Sequence, residues 1–180
     1  MNLPNKLTLL RIILIPIFVV IYYIGFTGWN YWAAAIFIIA AITDMIDGKI
    51  ARKTCQVTDF GKFADPIADK LLVMSALLIL MEWGKVSAWI AIILLAREFI
   101  ISGFRLVAAG KGTVIAAGIT GKIKTVVQIV ALSVLLFDDP IQKWTGIPLG
   151  MILLYISAAL SVWSCIEYIV KNRQALSQMK

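Results

Sequence analysis

Four aspartates, Asp44, Asp47, Asp65 and Asp69, fall within the stretch DMIDGKIARKTCQVTDFGKFADPIAD, which has long apolar runs on both sides. A carboxylate inside a bilayer costs several kcal/mol unless it is paired, metal-bound or in water. Asp44 and Asp47 are three residues apart and Asp65 and Asp69 four apart, so each pair shares one face of a helix. Gly48 and Ala51 lie on the face of Asp44 and leave room for a neighbouring helix or a bulky ligand, and Arg52 follows with a planar fork suited to phosphate. Asp65 precedes Pro66, a pairing that predicts a helix start with Asp65 as its N-cap. Four hard oxygen donors in a chain without histidine favour Mg2+ or Mn2+ over zinc. They suffice for two divalent cations bridged by shared acids, an arrangement used for displacement at phosphorus.

A second polar group stands downstream. Arg97, Glu98, Arg105, Lys122 and Lys124 interrupt apolar segments. They could hold an anion opposite the acids. Alternatively, Arg97, Glu98 and Arg105 form an ion-pair cluster that orients their helix, and Lys122 and Lys124 are an ordinary basic flank. Asp59, Asp138, Asp139 and Glu167 read as solvated loop or helix-end charges, and Lys171, Arg173 and Lys180 as a positive flank.

The elements that must position these groups are membrane helices. The chain has 180 residues, 61% of them hydrophobic and 15% charged, too apolar for a soluble domain of this size. Apolar runs predict six spans, over Leu7–Gly25, Tyr31–Arg52, Pro66–Trp83, Val86–Ala109, Ile119–Phe137 and Leu149–Val170. The links are too short to hold a soluble domain, so residues 1–180 are expected to form a single domain. The first run lacks a small-x-small cleavage site and reads as a retained span.

With the N-terminus inside, only Lys85 and Lys143 of the 17 Lys and Arg residues fall outside, which puts both termini in the cytoplasm. Trp29, Trp83 and Trp144 then sit in outer loops, as interface anchors do. The net charge of +7 is read as facing anionic headgroups and phosphate-bearing substrates, not nucleic acid. Cys55 and Cys165 are expected as free thiols on the cytoplasmic half. The fold expected is therefore all-α: a polytopic membrane protein with six transmembrane helices around a polar cavity that faces the cytoplasm.

The assembled pattern, Asp44-x2-Asp47-Gly48-x2-Ala51-Arg52-x8-Gly61-x3-Asp65-x3-Asp69, resembles in full the signature of the CDP-alcohol phosphotransferases. Three further stretches look like the branch of that family that uses sn-glycerol 3-phosphate as acceptor. They are Pro4-Asn5-Lys6-Leu7-Thr8 with Arg11, Ala96-Arg97-Glu98-Phe99 with Gly103 and Arg105, and Gly121-Lys122-Ile123-Lys124-Thr125.

The resemblance implies a bacterial inner-membrane enzyme, a homodimer, that passes the phosphatidyl group of CDP-diacylglycerol to sn-glycerol 3-phosphate and releases CMP. It implies that Asp44 and Asp65 contact both metals, Asp47 the first and Asp69 the second, with Asp69 also the base for the acceptor hydroxyl. Asn5, Thr8, Gly48, Arg52, Thr58 and Gly61 match positions that hold the lipid nucleotide. Arg97, Arg105, Lys122 and Lys124 supply positive charge for the acceptor phosphate. Rival readings are another member of the family, making phosphatidylinositol phosphate, phosphatidylserine or cardiolipin; a cation transporter, since buried acids also mark ion paths; and a scaffold that binds acidic lipid.

Overall fold

A computed structural model describes residues 3–54, 59–110, 118–137 and 140–172, and their side chains except those of 3–4, 45–54, 59–60, 62–63 and 140–141. Among the described residues the chain is all helix. The elements are α1 (Leu3–Ile24), α2 (Trp29–Thr54), α3 (Asp59–Glu82), α4 (Ala88–Gly110), α5 (Ile119–Leu136), the short α6 (Pro140–Thr145) and α7 (Leu149–Lys171). The six long helices match the six apolar runs. The six-residue α6 is an extra turn before α7 that no apolar run announces.

The helices alternate in direction. At one end, Trp29 at the start of α2 stacks on Tyr22 near the end of α1 and on Trp83 just past α3, with ring centroids 5.1 and 4.8 Å apart. Tyr31 reaches Phe137 at the end of α5, and Trp89 at the start of α4 meets Tyr155 early in α7. The opposite ends of these helices carry Asp44, Asp69, Arg97, Arg105 and Lys122. Gly25, Gly28 and Gly84 adopt positive φ in the two tight turns at the aromatic end, a backbone region closed to most side chains.

The aromatic half is packed with apolar side chains. Phe18, Phe37, Leu77, Leu80, Ile90, Leu94, Leu132 and Leu136 are wholly buried there, and Ala33, Ala34, Ala40 and Ala76 let the helices approach closely. The outer surface is apolar too: Ile92, Leu106, Ile119 and Trp163 are all more than 60% exposed. Such a surface suits lipid, not water. Three described helical segments, Asn5–Ile24, Ile119–Leu136 and Leu149–Lys171, are long and apolar enough to cross a membrane. The remaining long helices, α2 to α4, have 26, 24 and 23 residues and carry the acids and bases that lower their apolarity. The molecule is a polytopic helical membrane protein.

The start of α3 differs from expectation. Pro66 lies inside the helix, which begins at Asp59, so Asp65 is an interior residue and not an N-cap. Proline removes one backbone donor and crowds the preceding turn, at a cost of roughly 3 kcal/mol in a helix interior. Just upstream of it Gly61 and Ala64 are buried, and Asp65 is bonded to Thr8 on α1.

Candidate active site

The charged ends of α2, α3, α4, α5 and α7 enclose a cavity of about 580 Å3. Asp44 and Asp69 stand on its wall from α2 and α3. Arg97 and Arg105 reach it from α4, and Lys122 from the start of α5. A single opening thus presents acids from one pair of helices and fixed bases from another, which is what a site for an anionic substrate with divalent cations requires.

Helix α1 supplies groups that hold the acids. Thr8 Oγ1 donates to Asp65 Oδ1 at 2.5 Å. Arg11 Nη1 stands 2.7 Å from Asp44 Oδ1, with the Arg11 side chain fully buried and Asp44 36% exposed. Thr8 and Arg11 are three residues apart, so one face of α1 spans both acid-bearing helices. Asn5, one turn earlier on that face, is also buried. Sequence reasoning placed Arg11 in a motif without giving it a partner. A buried arginine three residues from a buried threonine in an apolar helix was the signal.

The base-bearing side is cross-linked as well. Arg97 Nη1 donates to Glu98 Oε1 at 3.1 Å, and Arg97 Nε donates to Ser164 Oγ on α7 at 3.2 Å. Lys124 Nζ donates to the same Glu98 Oε1 at 2.5 Å and is fully buried. Lys124, expected at the acceptor phosphate, is therefore set behind Glu98 and is not among the cavity-lining residues. The physical reason is helix geometry: Lys122 and Lys124 are two apart and cannot share a face. The ion-pair alternative for Arg97 and Glu98 is realised, and Arg97 still borders the cavity. Glu167, read as a helix-end charge, accepts from Thr120 Oγ1 at 2.6 Å and from Lys171 Nζ at 2.5 Å, joining α5 to α7 at the cavity rim.

The remaining expectations divide in two. Gly61 is buried on α3, and Asp65 is turned to Thr8 and is not among the residues that border the main cavity. Asp47, Gly48 and Arg52 lie in α2, but their side chains are outside the described residues, and Thr58 is outside them altogether. Cys165 is a free, half-buried thiol; Cys55 is outside the described residues. No group of three metal-ligating side chains is assembled among the described residues, which do not include the side chain of Asp47. The donor chemistry nevertheless suits a hard cation: Asp44 and Asp69 face one cavity from two helices, and the chain has no histidine.

Fold and site together define a helical membrane protein whose acids and bases converge on one polar chamber. The CDP-alcohol phosphatidyltransferase family model matches residues 1–163, and the chain belongs to that family. It is similar to the CDP-diacylglycerol–glycerol-3-phosphate 3-phosphatidyltransferase of Bacillus subtilis, at 45% identity over 97% of each chain. Similarity to the enzymes of that name from Escherichia coli K12 (41% identity, 97% of each chain) and Wigglesworthia glossinidia brevipalpis (38%, 93% of each) is nearly as extensive.

Proposed function

We propose that this chain transfers the phosphatidyl group of CDP-diacylglycerol to sn-glycerol 3-phosphate, forming phosphatidylglycerophosphate and CMP. One observation carries the reading: Asp44 and Asp69 share a cavity with Arg97, Arg105 and Lys122. Acids alone would repel a phosphorylated acceptor, and the three bases supply the opposing charge. The relatives carry the name of this reaction over nearly their whole length.

In this reading the acceptor hydroxyl oxygen attacks the β-phosphorus of CDP-diacylglycerol. A new P–O bond forms, the bond to the CMP oxygen breaks, and the electron pair leaves with CMP. Asp69 takes the hydroxyl proton. Arg97 and Arg105 orient the acceptor phosphate as planar donors, and Lys122 adds a point charge. Lys124 acts through Glu98, whose carboxylate it holds beside Arg97. Asn5, Thr8, Gly48, Arg52, Thr58 and Gly61 hold the lipid nucleotide. Asp44, Asp47, Asp65 and Asp69 would hold two divalent cations, Mg2+ or Mn2+, which when bound neutralise the pyrophosphate and stabilise the leaving CMP. Arg11 and Thr8 fix Asp44 and Asp65 for that task, as partners behind metal ligands do.

The further reading of the whole chain is a single domain over residues 1–180 with six membrane spans. The cavity opens to the cytoplasm, both termini are cytoplasmic and the location is the bacterial inner membrane. Family resemblance adds a homodimer. A transporter reading finds little support, because the half of the bundle beyond the cavity is filled by apolar side chains such as Phe18, Phe37, Leu77 and Leu132.

The test is turnover of the purified chain with CDP-diacylglycerol against a panel of labelled acceptors. Product is expected with glycerol 3-phosphate, and little with serine, inositol phosphate or phosphatidylglycerol. A preference for any of those three would move the chain to another branch of its family.

A further inference from the structure

The guanidinium of Arg97 is bonded at two of its nitrogens, and the third lies close to a further helix. Its Nε is bonded to Ser164 on α7 and its Nη1 to Glu98 on its own helix. The third nitrogen, Nη2, lies against Gly121 on α5, where a β-carbon built on the glycine would stand only 2.8 Å away. Real β-carbons essentially never approach so closely. The space a side chain would take at position 121 is thus occupied by the end of Arg97. Both residues border the cavity.

We infer that Gly121 is a positioning residue for the acceptor: its lack of a side chain makes the seat that holds the Arg97 guanidinium at the cavity wall. The inference rests on the reading above that Arg97 binds the acceptor phosphate. Position 121 needs no glycine for backbone reasons, since it sits in the first turn of a regular helix and is not among the positive-φ glycines. A methyl group there meets only the flexible end of Arg97 among neighbouring side chains, so the fold can absorb it by moving the guanidinium. Alanine is also the better helix former. Gly121→Ala therefore separates two properties that usually fall together: the helix is kept or strengthened, and the phosphate contact is lost. A planar fork that binds phosphate through paired donors tolerates little displacement.

The experiment measures melting temperature and the apparent KM for glycerol 3-phosphate and for CDP-diacylglycerol. The proteins are wild type, Gly121→Ala, Arg97→Ala and the double variant. Gly121→Ala is expected to melt no lower than Arg97→Ala, since at most the same Arg97 bonds are lost. Its acceptor KM rises about tenfold or more and its donor KM stays within about twofold, as for a displaced substrate clamp. In the Arg97→Ala background the same substitution changes neither KM, because the group it displaces is gone. An acceptor KM that rises in Arg97→Ala but not in Gly121→Ala overturns the role of Gly121 and leaves the acceptor site standing. Unchanged acceptor KM in Arg97→Ala removes the acceptor-site reading itself, and the inference with it. A melting temperature below that of Arg97→Ala with both KM values raised in Gly121→Ala makes the glycine a packing residue only, and also overturns the inference.

Discussion

Glu98 sits between two cations, Arg97 at 3.1 Å and Lys124 at 2.5 Å, and of the two only Arg97 borders the cavity. Lys124 is fully buried, so removing it leaves part of the charge of the largely buried Glu98 without its partner. Breaking a buried pair from one side costs about 3–5 kcal/mol; with Glu98 partly exposed and Arg97 still bound, about 2 kcal/mol is the fitting figure. Lys124→Ala is expected to lower the unfolding midpoint by several degrees in thermal denaturation. Lys124→Met with Glu98→Gln should recover part of that loss, because no charge is then left without a partner; a double variant less stable than the single one contradicts the pairing. Asp69 makes the opposite prediction. Asp69→Asn preserves shape and removes the proposed proton acceptor. Turnover should fall roughly 100-fold or more, as for loss of a general base. Calorimetric binding of CDP-diacylglycerol should survive, and near wild-type turnover would strip Asp69 of its role.

The gathering of several of these residues at one cavity was legible in the sequence, for a physical reason. Acids at spacings of three and four inside apolar segments have few affordable explanations, so Asp44 and Asp69 could be placed at a common site before any coordinates. Arg97, Arg105 and Lys122 followed from the same argument. What could not be read was the choice of partner. Glu98 meets Lys124 across 26 residues, and Arg97 meets Ser164 across 67. Neither separation follows a helical repeat, so only the packing of α4 against α5 and α7 decides them. The two-residue spacing of Lys122 and Lys124 already carried a warning that both could not face the cavity.

At the scale of the element, α1 acts as a clasp. Its apolar bulk packs on α2 and α3, and Thr8 and Arg11 reach across to Asp65 and Asp44. Thr8→Val keeps the shape and deletes one hydrogen bond to a charged group, worth about 1.5–3 kcal/mol. A lower melting temperature is expected, and a double-mutant cycle with Asp65→Asn should show strong coupling; additive losses would mean that the contact is incidental. Helix α3 shows where sequence signals compete. An Asp-Pro pair marks a start, yet α3 begins seven residues before Pro66, with Gly61 and Ala64 buried in its first turns. Tertiary packing outweighed a local rule that is sound in isolation. The short α6 was invisible for the converse reason: six residues with a lone Trp144 carry no periodicity to read.

For the whole molecule, the division into an apolar half and a charged half gives the bundle two unlike ends, on which the proposed orientation rests. Aromatic rings gather at one end and the site residues lie toward the other. With Cys55 and Cys165 changed to serine, Lys85→Cys should react with a membrane-impermeant thiol reagent in intact cells, and Asn172→Cys only after permeabilisation. The reverse pattern would invert the chain in the membrane and move the cavity away from its nucleotide substrate. The layout of six long helices was readable because each run is long and apolar. The enclosure of the cavity was not, since it depends on which faces of five helices meet.

The most direct test asks whether purified chain in lipid vesicles makes labelled glycerol 3-phosphate organic-soluble, and only when CDP-diacylglycerol and a divalent cation are both supplied. EDTA should abolish the transfer and Mg2+ or Mn2+ restore it, while a variant with Asp44, Asp47, Asp65 and Asp69 all changed to asparagine stays inactive at every metal concentration. Product formed undiminished after EDTA treatment, or by the four-asparagine variant, would contradict the account at its centre.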